Sequence, residues 1–420
     1  MTTATDTSLM TRRPVAIGEA RLLRGTEDGS VVNFAQHSQL HGQPAPLDQS
    51  QLIAACEAVN LRGRGGAAFP VATKLAGLAR GRRVVVVNAT ESEPASQKDR
   101  LLMERCPHLI LDGALLVAAA IKSHDIRIAV HSERHAGLMR HAVEQRPQVR
   151  RVRIHVDVID GGFVAGEARA VIRALNGGPA IPPGRRTLPT QHGVDGAPTF
   201  LSNAETFAQI ALLATLGPAG YATAGTKNEP GTTLVTVAGA VARPGVLEVP
   251  LGIPLGRVLE EVGATTVSSV AIGGYHGAWI TPDPRVTLSP NSLTARDATL
   301  GAGVILVLDD TTCALGELTR VAQWLARESA GQCGPCQFGL PALVQDLIAL
   351  NHRQPRAATD LQRHTNQISG RGACAHPDGA IRFITSGLTQ LATELDTHRR
   401  RGRCGRPIRA QLPLTVGGTP

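Results

Sequence analysis

"GRRVVVVNATESEP", residues 81 to 94, contains the run of β-branched residues that decides the fold. Four consecutive valines without polar alternation are typical of a parallel strand that is covered on both faces. The run stops abruptly in polar residues, as a buried strand does when it delivers a loop to a site. Outward from it the pattern predicts a helix at 108 to 124, a strand at 125 to 132, a helix at 133 to 145 and a strand at 152 to 160. This β-α-β-α-β order indicates an α/β fold with a Rossmann-like parallel sheet, which binds ligands beyond the carboxyl ends of its strands.

The rest of the chain divides by composition and pattern. With 420 residues, 42% of them hydrophobic, it is long enough for two or three cores. The Gly- and Pro-rich segment at 218 to 232 is typical of a linker, and beyond it two strands, a short helix and further strands suggest a β-grasp module before helical periodicity dominates. We expect five regions in chain order: a flexible leader (1–30), the α/β domain (31–218), a β-grasp domain (232–310), a C-terminal helical domain (314–398) and a basic tail (399–420).

Net charge and composition limit the classes of partner that this chain is expected to bind. The net charge is +9, and "HRRRGRCGRPIR" at 398 to 409 concentrates positive charge in a Gly- and Pro-interrupted tail that we expect to form no helix. Aromatic residues at 3% leave little on which bases could stack, which disfavours nucleic acid and favours an acidic protein partner. No apolar run has the length of a transmembrane segment, and the start lacks the apolar segment of a signal peptide, so we expect a cytoplasmic protein.

A glycine-rich segment, "LRGRGGAAFPVATKL" at 61 to 75, is a candidate anion site. Gly63, Gly65 and Gly66 would let the backbone approach a phosphate closely, and Arg64 and Lys74 would add positive charge. The spacing is neither that of a Walker loop nor that of a dinucleotide GxGxxG after a strand, so a flexible surface turn is the alternative.

Two further segments follow predicted strands. Asn88, Glu91 and Glu93 lie at the end of the valine strand, where carboxylates can accept hydrogen bonds from a ribose or a ring system, or be solvated loop charges. "DGGFVAGEARAVIRALNGG", 160 to 178, joins a Gly-rich turn to a helix that begins near Glu167. Three such loops at one edge of a parallel sheet favour a nucleotide or flavin pocket.

Seven cysteines scattered over this length form no disulfide framework, but three near the C-terminus are spaced like metal ligands. Cys333 and Cys336 form a CxxC turn, and Cys374 follows after a helical stretch. An iron–sulfur cluster and zinc both fit this pattern, and an isolated turn beside a buried thiol is the alternative. We interpret Cys313 as a buried core thiol and Cys404 as a free thiol in the basic tail.

Taken in order, these segments resemble the flavin-bearing, NADH-oxidising subunit of respiratory complex I (the F subunit of NADH-quinone oxidoreductase) and its relatives in NAD-reducing hydrogenases and NAD-dependent formate dehydrogenases. The family patterns GRGGAGFPxGxKW, NADExEPGxxKDR, GEETAL, VNNVET and ESCGxCxPCRxG correspond to "GRGGAAFPVATKL", "NATESEPASQKDR", "GEARAV", "LSNAET" and "ESAGQCGPCQFG". The resemblance covers the chain from about residue 20 to about residue 390. It implies an FMN-binding domain, then a β-grasp (SLBB-like) domain, then a helical domain with a 4Fe–4S cluster near the flavin.

The resemblance also implies roles for single residues. FMN contacts would fall to Gly63, Arg64, Gly65, Gly66, Lys74, Asn88, Glu91, Gly166, Glu167 and Asn203. Contacts to NAD(H) would fall to Phe69, whose ring can stack, and to Glu93. The resemblance implies no residue that acts catalytically by itself, because the cofactors would carry the chemistry.

The same resemblance makes Cys333, Cys336 and Cys374 the second, third and fourth cluster ligands, with Ala330 in place of the first. A 3Fe–4S cluster is therefore an alternative to the expected 4Fe–4S cluster. Candidates to complete the site are Ser329, His376 and Asp378.

Several positions depart from the family patterns. Thr90 replaces an acid, Ala168 replaces the second Glu of GEETAL, and the expected aromatic is absent at Leu75. Ala68 and Ala72 stand where the family pattern has glycine. Each lost polar or stacking contact is worth about 1 kcal/mol or more, so together they would weaken dinucleotide binding.

The leading hypothesis is an iron–sulfur flavoprotein module that moves electrons between a pyridine nucleotide and a protein acceptor, with a ferredoxin-like or thioredoxin-like redox partner. Such a module would be cytoplasmic, or peripheral on the membrane through partner subunits. The alternative is a relay or scaffold subunit that no longer binds NADH. A third hypothesis is a β-grasp ligand binder that uses the loop "AIGGYHGAWI" at 271 to 280.

Overall fold

A computed structural model describes residues 15 to 146, 152 to 184 and 187 to 414 of the chain. The first region of this part alternates strands and helices. Its elements are, in chain order, β1 (Val15–Ala16), α1 (Phe34–His41), α2 (Gln49–Ala58), α3 (Val71–Ala76), β2 (Val84–Ala89), α4 (Lys98–Arg105), α5 (Pro107–Ala120), β3 (Asp125–Val130), α6 (Glu133–Glu144), β4 (Arg153–Val158), α7 (Ala168–Leu175), β5 (Thr199–Asn203) and α8 (Ala204–Tyr221).

Strands β2 to β5 form a parallel sheet in the order β4-β3-β2-β5. The strand order reverses at β2, because β3 and β4 lie on one side of it and β5 on the other. The cleft between the carboxyl ends of β2 and β5 is thus a topological switch point, where open α/β sheets bind ligands. Asn88 and Asn203 pair in register across this cleft. The predicted Rossmann-like sheet is confirmed.

The valine run of β2 is apolar throughout because both faces of the sheet are covered. Val85 and Val87 pack into the large core formed with α5 and α8, whereas Val84 and Val86 join a smaller core with Val171 of α7. All four valines are fully buried. The backbone of β2 is thereby fixed from both sides, which holds the loop after Ala89 in place.

The second region is a mixed sheet. Its elements are β6 (Gly225–Thr226), β7 (Glu229–Pro230), β8 (Thr232–Gly239), β9 (Gly245–Pro250), α9 (Leu255–Glu261), β10 (Ser269–Ile272), β11 (Ala278–Ile280), α10 (Pro290–Thr294) and β12 (Val304–Leu308). The strand order is β1-β9-β8-β12-β10-β11, with β8 and β9 antiparallel and β12 parallel to β8. This confirms the predicted β-grasp module.

Two expectations about connecting segments need correction. The expectation of a flexible leader is wrong for residues 15 to 30, because this segment is held by the second region. Strand β1 pairs with β9. The backbone N–H groups of Arg21, Leu22 and Leu23 donate to the buried carboxylate of Glu248. Residues 1 to 14 lie outside the described part. The linker at 218 to 232 is also folded: it ends α8, forms the β6–β7 hairpin and buries Tyr221 completely.

The third region is helical, as predicted. Its helices are α11 (Ala314–Arg327), α12 (Leu340–Asn351), α13 (Ala357–Ile368), α14 (His376–Gln390) and α15 (Ala392–Arg401), with a π-helical turn at Pro335–Gly339 before α12. Among the helices of the described residues, none combines the length and the apolar character that crossing a membrane requires.

The basic tail differs from its prediction. Arg399, Arg400 and Arg401 form the last turn of α15, so the expectation of no helix is wrong there. Beyond Gly402 the chain folds back along the helical region, and Leu412 is fully buried. Residues 415 to 420 lie outside the described part.

Candidate functional site

The glycine-rich loop lies over the start of α8, beside the switch point. An isolated bridge between Arg62 and Pro70 closes the loop, and the N–H of Gly63 donates to the carbonyl of Phe69 at 2.9 Å. A β-carbon added at Gly65 would lie 3.5 Å from the β-carbon of Asn203, whereas one added at Gly66 would meet no atom within 4 Å. The loop therefore leaves open space on the side where a ligand would approach.

Ala68 departs from the geometry its side chain prefers. Its φ is +45°, in the left-handed region that glycine adopts without steric cost. This is one of the two positions where the family pattern has glycine. The other, Ala72, lies within α3 and is buried.

The two candidate cations of this segment, Arg64 and Lys74, already have partners. Arg64 lies between α8 and the second region, where its Nη2 donates to the carbonyl of Thr232 at 3.3 Å and its Nε is 3.8 Å from Oε1 of Glu205. Lys74 donates from Nζ to the carbonyl of Leu201 at 2.8 Å. Burial lowers the pKa of Lys74 to about 8. Its proton is therefore held less firmly than that of an ordinary lysine.

The two acids after β2 have different surroundings. Glu91 is fixed at the start of α4: its carboxylate accepts from Ser96 Oγ at 2.6 Å and from the N–H groups of Asp99 and Arg100, both at 3.0 Å. Glu93 points to the second region and accepts the N–H of Tyr275 at 3.0 Å through Oε2. Its Oε1 is buried and has no hydrogen-bond partner among the described residues. Burial raises the pKa of Glu93 to about 7.

The loop before α7 meets the end of β2. The Nδ2 of Asn88 donates to the carbonyl of Gly166 at 2.9 Å, which joins two of the three predicted loops directly. Thr90 donates to Oδ1 of Asn88 at 2.7 Å, so the residue that replaces the family acid orients this asparagine. Glu167 caps α7 by accepting the N–H groups of Arg169 and Ala170.

A buried polar network under the cleft was missed by the sequence reasoning. Lys98 Nζ lies 3.0 Å from Asp99, 3.1 Å from Glu205 and 3.1 Å from Oδ1 of Asn203. Burial opposes the charge on Lys98, but Asp99, Glu205 and Glu91 outweigh it and raise its pKa. Lys98 and Asp99 belong to the KDR part of the second motif and Glu205 to "LSNAET", so motif membership was the available signal.

The three predicted cluster cysteines lie close together. The carbonyl of Cys333 accepts the N–H of Cys336 at 3.0 Å, which closes the CxxC turn. The pKa of the Cys336 thiol is raised to about 12, chiefly by burial and then by the neighbouring Cys333 and Cys374, against a smaller lowering by a hydrogen bond with Ser329. Thiols grouped in this way, at the N-terminal ends of two helical segments, suit the donor set of an iron–sulfur cluster.

The candidates for completing the cluster site have different neighbours. Ser329 lies within hydrogen-bonding reach of Cys336. His376 uses both ring nitrogens elsewhere: Nε2 is 2.9 Å from the carbonyl of Leu325, and Nδ1 is 3.0 Å from Nε2 of His276. Burial lowers the pKa of His376 to about 4, so the ring is neutral.

A contact between the first and third regions brings the two candidate sites together. The N–H of Phe163, in the loop that contacts Asn88 through Gly166, donates to Oε2 of Glu328 at 3.0 Å. The Phe163 ring packs edge-on against Trp324 and His376, with centroids 5.1 and 5.7 Å apart. Glu328 immediately precedes Ser329. The switch-point cleft and the cysteine cluster are thus joined by one short chain of contacts.

Comparison with known proteins matches three family models to the chain. The Nuo51 FMN-binding domain matches residues 56–212, the SLBB domain residues 234–271, and the NADH-ubiquinone oxidoreductase-F iron-sulfur binding region residues 312–398. The first of these contains the switch-point cleft, and the last contains the three cysteines.

Whole proteins are similar to this chain along most of its length. The second NADH-quinone oxidoreductase F subunit of Rhizobium meliloti (strain 1021) is 30% identical over 417 residues, which cover 93% of this chain and 98% of that protein. The F subunit of Salmonella typhimurium (strain LT2) is 28% identical over 378 residues, covering 83% of this chain and 84% of that protein. A crystal structure of the NAD+-reducing nickel–iron hydrogenase in the H2-reduced state superimposes with a TM-score of 0.80 at 26% identity, covering 90% of this chain and 67% of that one. The chain therefore belongs to the family of NADH-quinone oxidoreductase F subunits.

Proposed function

We propose that this protein is an electron-entry module that oxidises NADH, with FMN in the switch-point cleft and an iron–sulfur cluster at Cys333, Cys336 and Cys374. When bound, FMN would accept a hydride from NADH, and the cluster would take up the electrons one at a time. The observation that carries the proposal is the convergence of the loops containing Gly65, Asn88 and Gly166 on the switch-point cleft, linked through Phe163 to the cysteines.

The residues present fit an FMN site. Gly66 leaves the cradle open, and the N-terminus of α8 directs its positive end to the same place. We propose that FMN contacts Gly63, Arg64, Gly65, Gly66, Lys74, Asn88, Glu91, Gly166, Glu167 and Asn203. In this proposal Asn88, Glu91 and Glu167 act partly by holding loops, because their side chains already bond the backbone.

The dinucleotide would enter at the rim of the cleft. Phe69 is 47% exposed at the end of the glycine loop, so its ring is available for stacking on a base or a nicotinamide. Glu93 offers its unpartnered Oε1 as an acceptor. We propose that these two side chains contact NAD(H).

The cluster site fits three thiolates and a weaker fourth donor. We propose that the Ser329 hydroxyl completes the site left by Ala330, because it is beside Cys336 while both ring nitrogens of His376 are engaged. A three-iron cluster would need no fourth donor.

The similar proteins are named as F subunits of NADH-quinone oxidoreductase, and the similar crystal structure is that of a hydrogenase. We propose that this chain likewise transfers electrons to a partner subunit. A ferredoxin-like or thioredoxin-like protein with an acidic surface suits the net charge of +9. This partner would meet it in the cytoplasm or hold it at the membrane surface.

A second function is favoured by specific contacts. Thr90 already donates a hydrogen bond to Asn88. The carboxylates of Glu91 and Glu167 accept backbone N–H groups at helix starts. Arg64 contacts Glu205 and Thr232. A site whose polar groups are so fully used could keep a flavin as an electron relay without binding NADH.

Flavin retention and bleaching distinguish these functions. Protein purified anaerobically and supplied with FMN is expected to keep the flavin through gel filtration and to lose visible flavin absorbance when NADH is added. Retained flavin that NADH does not bleach would favour the relay, and absence of retained flavin would overturn both functions.

A matched pair of variants tests the location of the flavin. Gly66→Leu should fold, because no protein atom lies within 4 Å of the added β-carbon, yet it would fill the cradle and abolish flavin retention. Gly137→Leu adds the same side chain at an exposed position of α6 that is equally open, and should retain flavin. Equal retention by both variants would contradict the proposed site.

A further inference from the structure

Four metal-ligating side chains meet at a place that the proposed function does not use. The ligand atoms of Cys313, Glu394, His398 and Cys404 all lie within 4.8 Å of one another, and the first three residues are buried. Two of these residues were interpreted from the sequence as a core thiol and a free thiol. Their convergence depends on the folding back of the tail, which the sequence pattern did not predict.

Three local structures place the four side chains. Cys313 is the N-cap of α11, where its Sγ accepts the N–H of Gly316 at 3.3 Å. Glu394 and His398 are four residues apart on α15 and therefore share one face. Gly402, with φ of +78°, ends α15 and turns the chain so that Cys404 returns to that face.

The distances suit one small ion. Sγ of Cys313 is 3.2 Å from Oε1 of Glu394 and 3.4 Å from Nε2 of His398, and those two atoms are 3.9 Å apart. Tetrahedral zinc with Zn–S of about 2.3 Å and Zn–N or Zn–O of about 2.0 to 2.2 Å gives edges of about 3.3 to 3.8 Å between ligand atoms. The ligand atoms of Cys313, Glu394 and His398 are therefore spaced like three corners of a zinc tetrahedron, and Sγ of Cys404 lies within 4.8 Å of each of them.

The surrounding groups orient the ligand side chains and balance their charge. Glu394 is oriented by the N–H of Leu315, which donates to Oε1 at 3.0 Å, and by an ion pair between its Oε2 and Arg406. The Nδ1 of His398 is buried and has no hydrogen-bond partner among the described residues, so Nε2, facing Cys313, is the nitrogen with a close neighbour. The guanidinium of Arg406 would also offset the excess negative charge of two thiolates and a carboxylate around a divalent ion.

We propose that Cys313, Glu394, His398 and Cys404 bind one structural zinc ion. Two sulfur, one nitrogen and one oxygen donor form a mixed set that zinc accepts, and four protein ligands leave no open position for catalysis. Binding releases the two thiol protons to solvent.

The ion would fasten the returning tail. The carbonyl of Pro407 accepts the N–H of Cys313 at 2.8 Å, and the N–H of Arg409 donates to Thr312 at 3.1 Å. Leu412 is fully buried, in the same core as Cys336. Zinc would join the start of α11, one face of α15 and this tail, and so hold the helical region in which the cysteine cluster lies.

The test measures zinc separately from iron in the full chain. Protein expressed with added zinc should contain one zinc per chain, and the double variant Cys333→Ala/Cys336→Ala should keep it while losing iron. The double variant Cys313→Ala/Cys404→Ala should lose the zinc, whereas Cys56→Ala, which removes a buried thiol from α2, should not. This pattern is independent of flavin binding, so it can succeed where the proposed function fails.

Two outcomes in the wild-type protein as purified would overturn the proposal even if the variants failed to fold. One is wild-type protein without zinc after zinc-supplemented expression. The other is a disulfide between Cys313 and Cys404, detected by peptide mapping of protein alkylated under non-reducing conditions. Cobalt in place of zinc should show tetrahedral d–d absorbance with a thiolate charge-transfer band, and an octahedral spectrum would also contradict the site.

Discussion

At the scale of single residues, Ala68 is the clearest place where sequence and backbone conflict. Its φ of +45° costs a residue with a β-carbon about 1 kcal/mol or more. Ala68→Gly relieves this strain, but glycine also makes the unfolded chain more flexible, which cancels part of the gain. We therefore expect the free energy of unfolding to rise by about 0.5 to 1 kcal/mol. Urea denaturation of the purified protein measures this change.

Ala72→Gly is the matched control for that substitution. It makes the other change toward the family pattern, but within α3, where glycine should lower the free energy of unfolding by about 1 kcal/mol. Changes of the same sign in both variants would show that backbone strain at Ala68 is not the cause.

Because Glu93 is buried, we expect the free energy of unfolding to depend on pH. Its folded pKa of about 7 lies above the ordinary glutamate value of 4.5, so the folded protein binds the proton more tightly than the unfolded chain. The stability from this group is present below about pH 4.5 and is lost as the pH rises to about 7, a total of about 3 kcal/mol. Relative to Glu93→Gln, the wild-type free energy of unfolding should fall across this window. Parallel curves for the two proteins would show that Glu93 is not buried as described.

The resemblance pointed to candidate residues around the cleft, but not to what each side chain bonds. Glu91 was expected to contact a ligand, yet its carboxylate accepts three hydrogen bonds at the start of α4. Lys98 was not singled out, although it is 3% exposed at the centre of a network of acids. The sequence marks a carboxylate near a site, whereas only the fold decides whether backbone N–H groups reach it first.

At the scale of elements, the start of α8 contains a buried carboxylate whose charge is balanced by two neighbouring cations. Glu205 is fully buried and pairs with Lys98 at 3.1 Å and with Arg64 at 3.8 Å. We expect Glu205→Gln to lower the free energy of unfolding by about 3 kcal/mol, because two cations lose a buried counter-ion. In the control, Glu260→Gln removes an exposed partner of Arg257 on α9 and should leave chemical denaturation unchanged. Similar losses in both variants would refute the importance of the buried network.

The segment between α11 and α12 contains Ser329 and Ala330, which bear on the fourth ligand of the proposed cluster. Ala330→Cys supplies the missing thiolate and should slow loss of iron in air about tenfold, since a ligand replaces a methyl group. Ser329→Ala removes the proposed donor and should speed that loss by a similar factor. Iron and sulfide analysis over time provides the measurement. Equal rates in wild type and Ser329→Ala would exclude Ser329 as the fourth donor.

Elements with a strong period were predictable, and short or irregular ones were not. The valines of β2 identified a strand because both of its faces meet a core. The two-residue strand β1 has no pattern of its own and forms because β9 offers an open edge. The last turn of α15 contains three consecutive arginines, a pattern typical of a solvated tail, yet the helix continues to Gly402.

At the scale of the whole molecule, the arrangement of the two cofactor sites is the feature least visible in the sequence. The hydrogen bond from Phe163 to Glu328 joins residues 165 apart in the chain, and the contact of Glu93 with Tyr275 spans 182. No local pattern encodes such pairs. The resemblance to a known family supplied the expectation that the sites are adjacent, and the contacts through Phe163 supply a physical reason.

The most direct test of the central claim is whether NADH reduces the iron–sulfur cluster within this one chain. Anaerobic protein loaded with FMN is mixed with NADH, frozen and examined by EPR, beside a sample reduced with dithionite. We predict that NADH produces the reduced-cluster signal seen with dithionite and that the signal is absent from Gly66→Leu. A signal with dithionite that NADH does not elicit would contradict electron entry from NADH through this protein.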